Sequence, residues 1–102
     1  MTHLEKAFDS IEFIVDCSAW WYLPCGVVLV LRYEWHDRDD GGIEWRRTYD
    51  VDIRIYSEID LTACPLYKKY DRGSFSNMSS TDVVKLAAWI EKYVSTQRRM
   101  AV

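Results

Sequence analysis

The sequence predicts a small α+β fold, and three observations carry that expectation. Two β-branched and aromatic runs, Gly26 to His36 and Ile43 to about Tyr56, flank the turn cluster Asp39-Asp40-Gly41-Gly42, the pattern of a long β-hairpin. The C-terminal segment places apolar residues at helical spacing behind serines that can cap it. The N-terminal segment repeats that spacing behind Thr2 and Glu5, a capping box. Two helices over one face of a small antiparallel sheet form a two-layer arrangement. At 102 residues the chain is expected to be one domain, 1–102.

The first element is predicted as a helix. Leu4, Ala7, Phe8, Ile11, Ile14, Val15 and Ser18 share one face, and Pro24 and Gly26 end it at the latest. A strand at residues 11–17 competes, because Phe13, Ile14 and Val15 suit one. The run Trp20-Trp21-Tyr22 cannot turn all its rings to one core from either structure, so at least one ring is exposed or meets a partner.

For the hairpin, apolar matching favours a register in which paired residue numbers sum to 80. Leu29 then faces Val51, Leu31 faces Tyr49 and Trp35 faces Trp45, with Glu34 opposite Arg46 and His36 opposite Glu44. A sum of 82 also matches the strand bases but sets His36 against Arg46, and a sum of 81 sets Leu29 against Asp52. The hairpin base belongs to the core, while the outer half, charged and carrying two tryptophans, is expected to project. Ile59, Leu61 and Ala63 alternate with polar residues and suggest a short third strand stopped by Pro65. Residues 72–80 read as a loop. In the last helix, starting near Thr81 behind Ser79 or Ser80, the stripe is Val83, Leu86, Ala87, Ile90 and Val94, widened by Trp89 and Tyr93.

Composition narrows the function classes. Hydrophobic residues at 49% supply a core without disulfides or metal. The net charge of −3 argues against a general nucleic-acid binder. Residues 1–52 hold eleven acids and five bases, and residues 53–102 five acids and eight bases, so the chain runs from −6 to +3. Three cysteines without C-x-x-C spacing suit reduced thiols in a cytoplasmic protein. The N-terminus lacks the pattern of a signal peptide, and the longest apolar stretch, Gly26 to Leu31, is too short to span a bilayer.

No phosphate-binding loop, nucleophile elbow or metal-ligand spacing occurs in the sequence. Catalytic, cofactor and metal residues are therefore expected to be none. Glu34, His36 and Glu44 could converge on the hairpin's polar face, but Arg46 competes for the carboxylates. Cys64 could serve as a nucleophile with a histidine base, although cysteine is more often a buried core residue. The stretch Tyr67-Lys68-Lys69-Tyr70-Asp71-Arg72 interleaves bases and aromatics as single-strand nucleic-acid binders do, with Asp71 interrupting it.

The reading that remains is a non-catalytic interaction module, a small cytosolic inhibitor that occludes a partner protein. Its surface would comprise Trp35, Asp37, Asp39, Asp40, Glu44 and Trp45 at the hairpin tip, Trp21 at the aromatic junction, and Tyr67 and Tyr70. Acidic residues would steer a basic partner and aromatics would prolong its residence. In size and character, though not by any motif, the chain is like phage-encoded inhibitors of host defence, such as anti-CRISPR proteins acting in the host cytoplasm. Immunity proteins that neutralise nuclease toxins share that character. A competing reading is a small enzyme or metal-dependent protein built on His36, Glu34, Glu44 or Cys64. A strand edge within 43–56 or 59–63 could also pair with a second copy as a homodimer.

Overall fold

Among the described residues, three antiparallel strands and two helices build the fold in the α+β arrangement the sequence predicts, but one strand lies elsewhere. The computed structural model describes residues 2–13, 17–36, 46–54 and 59–100, except the side chains of Trp35, His36, Arg46 and Met100. In chain order the elements are α1 (His3–Asp9), β1 (Ser18–Tyr22), β2 (Val28–His36), β3 (Arg46–Arg54), a 3-10 turn (Leu61–Ala63) and α2 (Ser80–Met100). The sheet order is β1-β2-β3, with β2 central.

The N-terminal helix is shorter than its periodicity suggested. Thr2 Oγ1 accepts the Glu5 N–H at 3.1 Å, so the predicted cap forms. The helix then stops at Asp9, where the Ser10 hydroxyl donates to the Lys6 carbonyl at 2.9 Å. Such a side chain offers the backbone an alternative partner, and the β-branched residues just beyond it are poor helix formers. Phe8 is buried from the helix, while Ile11 and Phe13 pack on the core from non-helical backbone.

Residues 18–22 form the strand β1, not the end of a helix. They alternate between the two faces: Ala19 and Trp21 point into the core, Trp20 and Tyr22 outward. Leu23, Pro24, Cys25, Gly26 and Val27 then reverse the chain. Gly26 N–H donates to the Leu23 carbonyl and Leu23 N–H to the Val27 carbonyl, both at 2.9 Å. Gly26 takes the left-handed conformation (φ +95°) that closes a three-residue hairpin loop. Two side chains of α2 hold this loop down. Glu91 Oε1 accepts the Cys25 N–H, and Arg98 donates to the Cys25 carbonyl, each at 2.5 Å.

The β2–β3 register is a correction: paired numbers sum to 82, not 80. Leu29 faces Ile53, Leu31 faces Val51 and Tyr33 faces Tyr49, three matched pairs on the inner face. Trp35 accordingly stands opposite Arg47, Glu34 opposite Thr48 and His36 opposite Arg46. Matching along the strand bases outweighed the single unfavourable pair at the far end.

The expected third strand near 59–63 is instead a 3-10 turn. Asp60 Oδ1 accepts the Thr62 N–H at 3.2 Å and the Thr62 hydroxyl at 2.5 Å, which curls the backbone rather than extending it. The loop at 72–80 carries more structure than its composition suggested. Phe75 and Met78 are buried core residues, and their backbone lies along β3: Tyr49 and Met78 exchange N–H···O bonds, and Val51 N–H donates to the Phe75 carbonyl.

The C-terminal helix matches its prediction. Ser79 Oγ accepts the Asp82 N–H at 3.2 Å as cap, and Val83, Leu86, Ala87, Ile90 and Val94 are all buried. They pack with Phe8, Trp21, Leu29, Leu31, Tyr49 and Val51 in one cluster on the inner face of the sheet. No described helix is long and apolar enough to cross a membrane.

Candidate functional site

The outer face of the sheet carries the feature that asks for a functional account. Trp20 is 58% exposed and Tyr22 68%, while Trp21 between them is 5% exposed. These two are the exposed large hydrophobic residues of the described chain. Their rings lie side by side, centroids 6.5 Å apart at 37°. Val30 and Val28, their partners across the ladder on β2, continue the apolar strip. Further across, Asp52 and Arg54 of β3 form an exposed ion pair at 3.1 Å, and Arg32, Glu34 and Asp50 complete a charged border. An apolar aromatic centre beside a charged rim is the anatomy of a recognition patch.

The strand's period of two is what aims these rings. A side chain one residue away on β1 would point into the core, as Trp21 does against Phe8, with ring centroids 5.7 Å apart. Trp21 was the member of the aromatic run expected at an interface on sequence grounds. The structure places it in the core and presents its neighbours instead.

The other expected surface residues fall differently. Asp37, Asp39, Asp40, Glu44 and Trp45 lie outside the described residues, as does the side chain of Trp35. Tyr67 and Tyr70 are half-buried and packed against the core, so they do not form a free stacking platform. Gly73 (φ +87°) brings the backbone so close to the Tyr67 ring that a Cβ there would meet it at 3.1 Å. Tyr70 and Lys69 converge on the carboxylate of Asp82, which is 4% exposed. Lys69 Nζ stands 2.7 Å from Oδ2, and the Tyr70 hydroxyl donates to the same oxygen. Lys69 and Tyr70, both donating, hold the Asp82 carboxyl below the usual carboxylate range. Burial first, and the Asp82 carboxylate second, push the Tyr70 hydroxyl up. The arrangement ties the basic-aromatic stretch to the first turn of α2, leaving Lys68 and Arg72 in solvent.

Among the described residues, those of the enzyme reading are not brought together. Glu34 is exposed on the outer face, His36 stands opposite Arg46 rather than Glu44, and the His36 side chain and Glu44 lie outside the described residues. Cys64 is buried at 4% exposure, and burial pushes its thiol up, away from the thiolate a nucleophile needs. Among the described residues no group of three or more His, Cys, Asp or Glu is placed to hold a metal.

No family model matches the chain, and neither a curated protein nor a solved structure does. The site therefore rests on its own geometry. Sequence reasoning singles out the Trp20-Trp21-Tyr22 run but not its exposed members. The signal that separates them is the hairpin turn at 23–27, which fixes the preceding residues as a strand.

Proposed function

We propose that this chain is a non-catalytic protein-interaction module that occludes a partner protein, and that the sheet face centred on the exposed Trp20 and Tyr22 is a contact surface. The observation that carries the reading is the exposure of two neighbouring large aromatics on a strand paired along its length with β2. Large aromatics left in water are costly, and Trp and Tyr dominate interface energetics. The mechanism is occlusion: the rings seat against an apolar patch of the partner, and the border of Arg32, Glu34, Asp50, Asp52 and Arg54 sets orientation and encounter rate. The inhibitory character proposed from the sequence, whether against a host-defence effector or a nuclease toxin, belongs to this same reading.

The test is affinity purification from the source cell with quantitative mass spectrometry, comparing the native chain with Trp20→Ala/Tyr22→Ala. Partners enriched by the native chain should be lost from the double variant by at least ten-fold, on the order of one hot-spot contact. Partners retained undiminished would rule out this face.

A further inference from the structure

The segment that covers β3, residues 71–78, is fastened at one residue. Asp82 Oδ2 accepts from Lys69 Nζ at 2.7 Å and from the Tyr70 hydroxyl, while the Asp82 N–H donates to Ser79 Oγ at 3.2 Å. Tyr70 and Ser79 flank the segment, so Asp82 in the first turn of α2 holds both of its ends together. Between those ends the chain folds back on itself. The Ser74 N–H and hydroxyl both donate to the Tyr70 carbonyl at 3.0 Å, and the Gly73 N–H donates to the Tyr67 carbonyl at 3.2 Å. A short surface segment with joined ends and internal packing is an Ω-loop. Native proteins open locally in contiguous cooperative units, at free energies below that of global unfolding.

The contact of this strap with the sheet is narrow. Among the described residues, three backbone bonds join it to β3. Tyr49 N–H donates to the Met78 carbonyl at 2.9 Å, Met78 N–H to the Tyr49 carbonyl at 2.8 Å, and Val51 N–H to the Phe75 carbonyl at 2.9 Å. Asp50 Oδ1 accepts the Asn77 N–H at 3.0 Å. Phe75 and Met78 are the buried anchors, while Asp71, Arg72, Ser74, Ser76 and Asn77 are exposed. Opening releases the left-handed strain of Asp71, Arg72, Phe75 and Asn77 and returns chain entropy to the segment. The centre of the sheet has no such release. Leu29 and Leu31 are fully buried on a strand paired along both sides.

We infer that the strap 71–78 is a hinged cover that opens as one unit while the sheet and α2 stay folded, with the Asp82 carboxylate as its latch. On opening, Lys69 and Tyr70 leave Asp82, and Phe75 and Met78 leave their sockets in the core. The Tyr49 and Val51 N–H groups and the Tyr49 carbonyl then face outward along β3. A row of free backbone groups on an edge is a template for strand pairing. The strap therefore regulates access to an edge that the closed state conceals. This device involves neither the Trp20–Tyr22 face nor an external partner.

Native-state amide exchange of the purified chain tests the inference, under conditions where exchange follows the opening equilibrium. The Tyr49, Val51 and Met78 amides all bond across the strap–β3 contact. They should share one opening equilibrium, at least about ten-fold larger than that of Leu29 and Leu31. Their exchange should also rise less steeply with urea, because opening the strap exposes less surface than unfolding the domain. Two variants separate the transitions. Arg98→Ala frees the Cys25 loop, a contact that an open strap leaves intact. Leu29 and Leu31 should then exchange roughly ten-fold faster, while the three strap amides stay within about two-fold. Tyr70→Phe removes a latch donor that both transitions break, so strap and β2 amides should accelerate together, by roughly ten-fold. One common rate and urea dependence for all five amides in the native chain overturns the inference, whatever the variants do. So does an Arg98→Ala chain in which both groups accelerate equally. Strap amides that do not respond to Tyr70→Phe overturn Asp82 as the latch.

Discussion

The two edges of the sheet solve the same problem in opposite ways. Along β3 the free backbone is occupied: Tyr49 bonds Met78 and Val51 bonds Phe75, and both Phe75 and Met78 sink into the core. Along β1 nothing described occupies the outward groups of Trp20 and Tyr22, and two large rings stand in solvent beside them. Closing the β3 edge has a conformational cost. Asp71, Arg72, Phe75 and Asn77 all have φ between 46° and 57°, with Gly73 also left-handed. Non-glycine residues adopt that region at a cost of about 1–2 kcal/mol each, with asparagine and aspartate the most tolerant. The segment accepts the strain because two buried anchors and the bonds to β3 outweigh it. The contrast teaches that covering a sheet edge has a conformational cost in this chain, which the β3 edge bears in its left-handed residues.

That contrast can be broken most severely at Phe75. Phe75→Ala removes a side chain that is 1% exposed, and unfolding in urea should show a loss of about 3–5 kcal/mol. A loss under about 1 kcal/mol would mean that the β3 edge is closed by backbone bonding and not by the anchor.

The attachment of the covering segment at Asp82 comes next. Asp82→Asn keeps the size of the side chain but weakens its bonds to Lys69 and Tyr70, and should cost about 1–3 kcal/mol. The pH dependence carries a sign. The native carboxyl is held below its unfolded value, so its contribution is present above about pH 4 and is lost as pH falls through the lower native value. Thermal melts should therefore lose less stability on acidification in Asp82→Asn than in the native chain. Equal acid sensitivity would show that the carboxylate contributes nothing through its charge.

The smallest effect sharpens the comparison by relieving strain. Arg72 is exposed with φ 57°, and Arg72→Gly exchanges that strain for unfolded-state entropy, a net gain of roughly 0.5 kcal/mol. A lower melting temperature would show that the left-handed turn is held by the arginine side chain. Against these changes, the exposed pair Trp20 and Tyr22 is expected to alter binding while leaving stability within about 0.5 kcal/mol, because surface side chains away from special features do little else.

The α2 stripe, its serine cap and the existence of β2 and β3 were legible in the sequence, because each rests on a local signal of spacing or a capping side chain. The short α1 and its Thr2 cap were legible too, although not its end. The strand β1 was hidden for a physical reason. A half-exposed strand is recognised by alternation of apolar with polar residues, and here the outward positions are Trp and Tyr, so the period of two vanished into a continuous aromatic run. The third-strand expectation at 59–63 failed in the reverse direction, since alternation was present but the Asp60 side chain curled the backbone.

The sequence by itself determined the composition of the layers: two amphipathic helices, a β-rich middle and the apolar stripe of the last helix that enters the core. Tertiary structure alone decided the register, which residues guard the β3 edge, and which aromatics of the Trp20-Trp21-Tyr22 run are buried. These depend on pairing between segments distant in sequence. The turn at Gly26 and the grip of Glu91 and Arg98 on Cys25 set β1 against β2, and that pairing sends Trp21 inward and leaves Trp20 and Tyr22 facing water.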